Sequence, residues 1–218
     1  MTQDHYHIAN HPAPLEPDLV DLLGQVETAT IGHVEHWGFL ANDIRPVFPA
    51  RAVGRAVTVA APGRDGKVIY MAIDRLEPGD ILVVARVDGD GLACVGGGVT
   101  AAAKAKGAAA IIVDGPCTDP DEIIENGLPV WCRGVSARTT SRHISIGGAI
   151  NEPVACGGAA VLPGYCVLAD SSGIFLADPV RMHRLAHQAL TRQRRSITLR
   201  PHLEAGKSIF DFDAENGK

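Results

Sequence analysis

Three consecutive glycines, Gly96, Gly97 and Gly98, stand directly before a run rich in alanine and lysine. That junction limits what the chain can fold into more than any other stretch. Alanine and lysine within 100–106 favour a helix, the glycines leave its start free of side chains, and Gly107 is placed to end it as a C-cap. Residues 108–113 are apolar and β-branched at their end, as suits a strand buried on both faces. Asp114, Gly115 and Pro116 stop that strand. If the apolar run 81–87 is also a strand, the helix is a crossover and the two strands are parallel neighbours. The helix N-terminus and the turn Thr118-Asp119 then share the carboxyl end of the sheet, where open α/β sheets bind ligands. Unpaired backbone N–H groups at 97–100 suit an anion, and a nearby carboxylate suits a hard cation. Together they match the needs of a small keto acid.

The rest of the chain predicts one domain flanked by two extensions. Residues 1–16 are polar and contain prolines, which predicts an extended arm; its His5, His7 and His11 lack the preorganisation of a metal site. Residues 16–26 have helical spacing of apolar residues after an acidic first turn. The stretch 28–39 carries His33, His36 and Trp37, and His33 is placed to act as acid, base or ligand. Strands are predicted at 51–61 and 128–132, with a helix at 67–76. A short helix is predicted at 120–127, with Pro120 first, acids early and Gly127 last. Between 146 and 178 the text changes to short glycine-broken strands, which predicts an antiparallel section. Asp178-Pro179 then caps a helix running to about Arg195, with Met182, Leu185, Ala186, Ala189 and Leu190 on one face. The domain is accordingly set at 17–196 and a tail at 197–218. Ile209, Phe210 and Phe212 in that tail need the core or another subunit to cover them.

Aromatic residues make up only 5% of the 218, so small and branched aliphatics must fill the core. A net charge of -5 argues against a nucleic-acid partner, which would require a basic face. The five cysteines form no CxxC pair and are odd in number, which predicts reduced thiols rather than a disulfide framework or zinc site. The N-terminus lacks the basic and apolar blocks of a signal peptide, and no apolar run approaches the ~20 residues of a membrane span. A cytoplasmic protein with no membrane partner is expected.

The central stretch resembles the RraA-like family when read with Pro78-Gly79-Asp80 before it and Trp131-Cys132-Arg133-Gly134 after it. Val161-Leu162-Pro163-Gly164, followed by Ala169-Asp170, adds to the likeness, which runs over residues 28–212. That family includes class II 4-hydroxy-4-methyl-2-oxoglutarate aldolases and the regulator of ribonuclease E activity. The resemblance implies a compact α/β layered sandwich with mixed sheets, assembled as a homotrimer or homohexamer with sites between subunits. In the aldolases the amides at the helix start bind a pyruvoyl carboxylate, and an Arg-Asp pair ends the central strand, its Asp holding a divalent metal. By position, Gly96, Gly97, Gly98 and Val99 match the substrate-binding loop, and Asp119 matches the metal carboxylate.

This chain departs from the pattern at three places. Thr118 stands where the aldolases have arginine, so one hydroxyl replaces a fixed charge with a bidentate grip. Gly97 replaces a frequent acidic residue, and Gly32-His33 a frequent Ser-Asp. These changes cluster around one pocket, with His33 and Cys117 as new polar or nucleophilic groups. The expectation is a lyase, of aldolase or decarboxylase type, that uses Mg²⁺ or Mn²⁺ on a small oxo or hydroxy carboxylic acid. Asp119 and His33 would be catalytic, Gly96–Val99 and Thr118 would bind substrate, and Glu204 of a neighbouring subunit is a candidate to complete the site. The alternatives are a metal-dependent hydratase or isomerase of a related acid, and a non-catalytic regulator that binds a partner enzyme.

Overall fold

The apolar run around Leu82 is a strand buried at every position because a packed layer covers each of its faces. The computed structural model describes residues 5–88 and 91–215, so the first four residues of the arm and the last three of the tail lie outside the description. In chain order the first elements are β1 (Tyr6–Ile8), α1 (Pro17–Leu23), α2 (Thr28–Ile31), β2 (Arg45–Pro46), β3 (Ala52–Ala61) and α3 (Lys67–Ile73). The central unit follows as β4 (Asp80–Arg86), α4 (Gly97–Ala105), β5 (Ala110–Asp114), α5 (Pro120–Asn126) and β6 (Val130–Cys132). Then come β7 (Gly148–Ile150), β8 (Val154–Cys156), β9 (Ala159–Val161), β10 (Cys166–Ala169), β11 (Ile174–Ala177), α6 (Pro179–Glu204) and α7 (Ile209–Glu215).

The main sheet is mixed. Its path runs β1-β7-β3-β4-β5-β6-β2, with β10 and β11 joined off it through β3. The expected parallel neighbours β4 and β5 pair over Ile81–Ala85 and Ala110–Asp114, so α4 is the crossover between them. Strand β3 is long enough to serve two partners on one edge. Its first half pairs antiparallel with β10 and its second half with β7. The expected antiparallel section between 146 and 178 is present in these pairs, in β10–β11 and in the separate ribbon β8–β9.

Alternation along the central strands sorts their side chains into two cores. Val57, Val59, Leu82, Val84, Ile111 and Val113 face α3, α4 and α5. Ala56, Ile81, Val83, Ala110 and Ile112 face the opposite way, toward Trp131 and the β8–β11 section. Helix α6 applies Met182, Leu185, Ala186 and Ala189, as its spacing predicts, to a third cluster with α1, α2 and Phe175. A buried ion pair closes the amino ends of β3 and β4. The Arg55 Nε donates to Asp80 Oδ1 at 2.8 Å, and the other Asp80 oxygen accepts from the Glu77 N–H at 2.8 Å.

Two segments extend further than the sequence indicates. The arm adds an edge strand, with β1 parallel to β7 and the Tyr6 hydroxyl donating to Asp65 Oδ2 at 2.7 Å. Helix α6 continues past Arg195 through the position set for the start of the tail, and stops at Glu204 before Gly206, whose φ of 73° is left-handed. Phe212 of α7 folds back onto it, with its ring 5.3 Å from the His202 ring.

Candidate functional site

Helix α4 has no side chain at its N-cap or first two positions, since these are Gly96, Gly97 and Gly98. The strand β5 delivers the chain to Cys117, which bridges to Val95, and the Thr118 N–H then donates to the Val95 carbonyl at 2.9 Å. That pairing holds the Thr118-Asp119 turn against the glycines, as the crossover geometry predicts. Asp119 has left-handed backbone angles, φ 51° and ψ 51°, with Pro120 fixed next to it in the first turn of α5. An Asp at a helix start usually caps its own helix, but the Asp119 side chain makes no such bond. Instead its Oδ2 accepts the Gly97 N–H at 3.2 Å and its Oδ1 accepts the Thr118 hydroxyl at 3.2 Å.

The glycines are required sterically here. A methyl group on Gly96 would lie 2.6 Å from Asp119 Oδ2 and 2.6 Å from Thr118 Cγ2. One on Gly97 would overlap the Glu122 carboxylate and lie 2.7 Å from Glu122 Cβ. Gly98 is different, because its nearest neighbour in that direction is the Tyr70 hydroxyl at 3.7 Å.

A cleft of about 360 Å³ opens over this junction. Gly96, Gly98, Val99, Thr118 and Asp119 form its floor, Tyr70 stands on the α3 side, and residues 139–143 form the far wall. The wall is held by backbone bonds from Thr140 to Ala93, from Ser141 to Arg64 and from Gly66 to Ser141. Behind it, Asp65 is fully buried. Burial opposes its charge, but hydrogen bonds from Gly147, Tyr6 and Ile146 outweigh that effect and lower its pKa. Arg142 and His143 face the cleft, both exposed. Neither was singled out by sequence reasoning, since their only local signal is a polar run 47 residues beyond the Ala93 floor to which it is tied.

The structure brings together Gly96, Gly97, Gly98, Val99, Thr118 and Asp119. It does not bring His33 to them within the chain. That residue follows α2, which packs on α6, and it is not among the residues lining the cleft. Cys117 points behind the floor, fully buried, with its sulfur 3.4 Å from that of Cys132. Contact with Cys132, and then burial, pushes the Cys117 thiol up, which removes the thiolate a nucleophile would need.

The donors on the floor fit a hard divalent cation. Asp119 presents an exposed carboxylate whose two oxygens each accept one long hydrogen bond, leaving lone pairs free. Mg²⁺ is commonly held by one or two carboxylates with water in the remaining positions. Among the described residues no group of three His, Cys, Asp or Glu side chains gathers to form an all-protein cage. No helix among them is long and apolar enough to cross a membrane.

Comparison with known proteins agrees with this architecture. The family described as RraA-like (Aldolase/RraA) matches residues 17–176. A protein of Halalkalibacterium halodurans named "Putative 4-hydroxy-4-methyl-2-oxoglutarate aldolase" is 29% identical over 155 residues, covering 71% of this chain and 73% of that protein. The crystal structure of Streptomyces coelicolor RraAS2, described as an unusual member of the RNase ES inhibitor RraA protein family, superposes with a TM-score of 0.74 at 27% identity. That match covers 88% of this chain and 98% of the other. An uncharacterized protein from Pseudomonas syringae shares the fold at 20% identity, with a TM-score of 0.77 over 92% of this chain and 98% of its own.

Proposed function

The chain belongs to the RraA-like family, and from that premise we propose that it is a divalent-metal-dependent carbon–carbon lyase acting on a small oxo or hydroxy carboxylic acid. The observation that carries the reading is the contact between Asp119 and the N-terminus of α4, which puts a carboxylate and a cradle of amides on one cleft floor. Asp119 would hold Mg²⁺ or Mn²⁺, with water in the other positions. When bound, the cation polarises the 2-oxo group of the substrate and stabilises the negative charge that develops there.

The chain's own groups do the rest. The N–H groups of Gly98 and Val99 lie where an α-helix has no internal acceptor, and they would bind the substrate carboxylate with help from the helix dipole. The Thr118 hydroxyl fixes the rotation of the Asp119 carboxylate. For a 4-hydroxy-2-oxo acid, a ring nitrogen of His143 would take the proton from the 4-hydroxyl as the bond between carbons 3 and 4 breaks. The electron pair moves into the 2-oxo fragment, and the proton is returned to carbon 3. The homotrimer or homohexamer proposed with this reading would cover apolar groups that a single chain leaves exposed, Trp37 at 79% and Phe210 at 79%.

The test is turnover of 4-hydroxy-4-methyl-2-oxoglutarate and oxaloacetate, with and without a chelator. Activity should require added Mg²⁺ or Mn²⁺ and fall at least a hundredfold in Asp119→Asn. Equal product formation by the variant, or none by the wild type on any such acid, refutes the proposal. A second reading, a non-catalytic regulator of a partner enzyme, is favoured by Thr118 and by the likeness to the RNase ES inhibitor family. Stoichiometric capture of a partner enzyme that survives Asp119→Asn would select it.

A further inference from the structure

We propose that Cys117 and Cys132 are an oxidation site beneath the cleft floor, a dithiol that peroxide closes to an internal disulfide and that thereby disturbs the Thr118-Asp119 turn. The two sulfurs lie 3.4 Å apart although 15 residues separate them in the chain. The fold brings them together, because β5 and β6 are parallel neighbours. Cys132 ends β6. Cys117 lies beyond β5, where its N–H donates to the Gly134 carbonyl and its carbonyl accepts from the Ser136 N–H, each at 2.9 Å. The next two residues along the chain are Thr118 and Asp119 of the floor.

The two thiols differ in a way that sets the order of events. Cys132 is lowered to about 7, first because hydrogen bonding with Cys117 stabilises its thiolate. It is also 4% exposed where Cys117 is 0%, so an oxidant meets Cys132 first. Burial, by contrast, pushes Cys156 up and Cys166 up to about 12, which keeps both as unreactive thiols. The Cys132 thiolate attacks one oxygen of hydrogen peroxide, the O–O bond breaks, and the departing hydroxide takes up a proton as water, leaving a sulfenic acid. That change removes the thiolate that pushes Cys117 up. The Cys117 sulfur then attacks the Cys132 sulfur, the S–O bond breaks, and the oxygen leaves with the remaining thiol proton as a second water. Two thiols are oxidised and one peroxide is reduced. A disulfide is only about 2.0 Å long, so the sulfurs must approach, and close-packed surroundings pass such movement on. The turn has little slack, since Thr118 is tied to Val95 and Asp119 to Gly97.

Trypsin gives a direct test. No lysine or arginine stands between Lys106 and Arg133, so Cys117 and Cys132 share the peptide 107–133 with no other cysteine. Full-length protein is treated with hydrogen peroxide, alkylated in denaturant without reduction, and digested. Peptide 107–133 should be unalkylated and lighter by two hydrogens, with dithiothreitol reversing the change, while Cys156 and Cys166 are alkylated. Alkylation of both Cys117 and Cys132, or a sulfinic acid on Cys132 beside a free Cys117, overturns the dithiol. Amide hydrogen exchange by NMR reads the floor without any ligand. Oxidation should speed exchange about tenfold at the N–H groups of Cys117, Thr118 and Ser136, and peroxide should leave Cys117→Ala unchanged. Equal exchange before and after the wild-type disulfide forms overturns the coupling to the floor.

Discussion

Replacing Gly97 and Gly98 separately by alanine should move stability in opposite directions, although the two residues are adjacent in one helix turn. Alanine at either position gains up to about 1 kcal/mol from helix propensity and lost unfolded-state freedom, and less at the first turn than in the interior. At Gly98 nothing opposes that gain, because the nearest atom is the Tyr70 hydroxyl at 3.7 Å. At Gly97 the new methyl meets Glu122 Cβ and Cδ at 2.7 Å. The carboxylate can swing away, but Cβ is attached to the backbone of α5, which Asn126 and the buried Ile123 hold against α4. Overpacking of that kind costs about 1–3 kcal/mol, so Gly97→Ala should lose about 1 kcal/mol net while Gly98→Ala gains about 0.5. For a chain of this size 1 kcal/mol moves Tm by about 2–4 °C, so the two variants should melt roughly 3–6 °C apart, on opposite sides of the wild type. Urea unfolding monitored by circular dichroism provides the check, with unchanged m-values confirming that the comparison is of like states. If both alanines raise Tm equally, Glu122 does not rest on Gly97 and the close packing of α5 on α4 is wrong.

Two further substitutions test the buried charges that fix the frame. Asp65→Asn leaves one acceptor where two oxygens serve Tyr6, Ile146, Gly147 and Lys67, and should cost about 2–3 kcal/mol at pH 7. Because the pKa of Asp65 is lowered below its ordinary 3.8, its contribution is complete above that value and lost as pH falls through the folded pKa. The gap between wild type and variant, read from urea midpoints across pH 2–7, should therefore close only below about pH 3.8; a gap independent of pH refutes the charge as its source. Asp80→Asn leaves the buried Arg55 with only the exposed Glu77 as ionic partner among the described residues, and should cost about 3 kcal/mol, seen as a Tm fall of about 6–12 °C.

What the sequence disclosed is what neighbouring residues decide among themselves. The crossover from β4 through α4 to β5 follows from helix formers between two apolar runs. The limits of α5 follow from Pro120 at its start and Gly127, with φ 67°, at its end. The end of α6 was misplaced because the last strongly apolar residue of its buried face is Leu190. Neither glycine nor proline stands between Pro179 and Pro201, so nothing breaks the helix at Arg195; it passes Pro201 and ends at Glu204, before Gly206. The site divides along the same line. The nearness of Gly96 to Val99, Thr118 and Asp119 could be read because one crossover joins them. The wall at 139–143 could not, because Thr140 reaches the floor through a bond to Ala93 that no local pattern encodes. His33 was drawn toward the site by its departure from a family pattern, and the packing of α2 on α6 puts it elsewhere in the chain. Asp119, Glu122, Ile123 and Asn126 repeat at helical spacing, and that repeat marks the face α5 turns to α4.

The backbone of Asp119 explains why this face can serve a site rather than only a helix contact. A non-glycine residue in the left-handed region costs about 1–2 kcal/mol, and an Asp that does not cap its own helix gives up about 1 kcal/mol more. A conventional N-cap conformation would avoid both costs, and it would turn the carboxylate onto the amides of α5. The left-handed angle turns it outward to Gly97 and Thr118 instead. The chain can hold that angle because its surroundings leave no choice: Val95 fixes Thr118 on one side, and Ile123 and Asn126 fix α5 on the other. The carboxylate is then aimed by two helices and a strand end, the rigidity that the proposed cation and substrate would demand. In a loop the same residue would spread over several orientations, and the amides of α4 would be satisfied by whichever carboxylate or water reached them first.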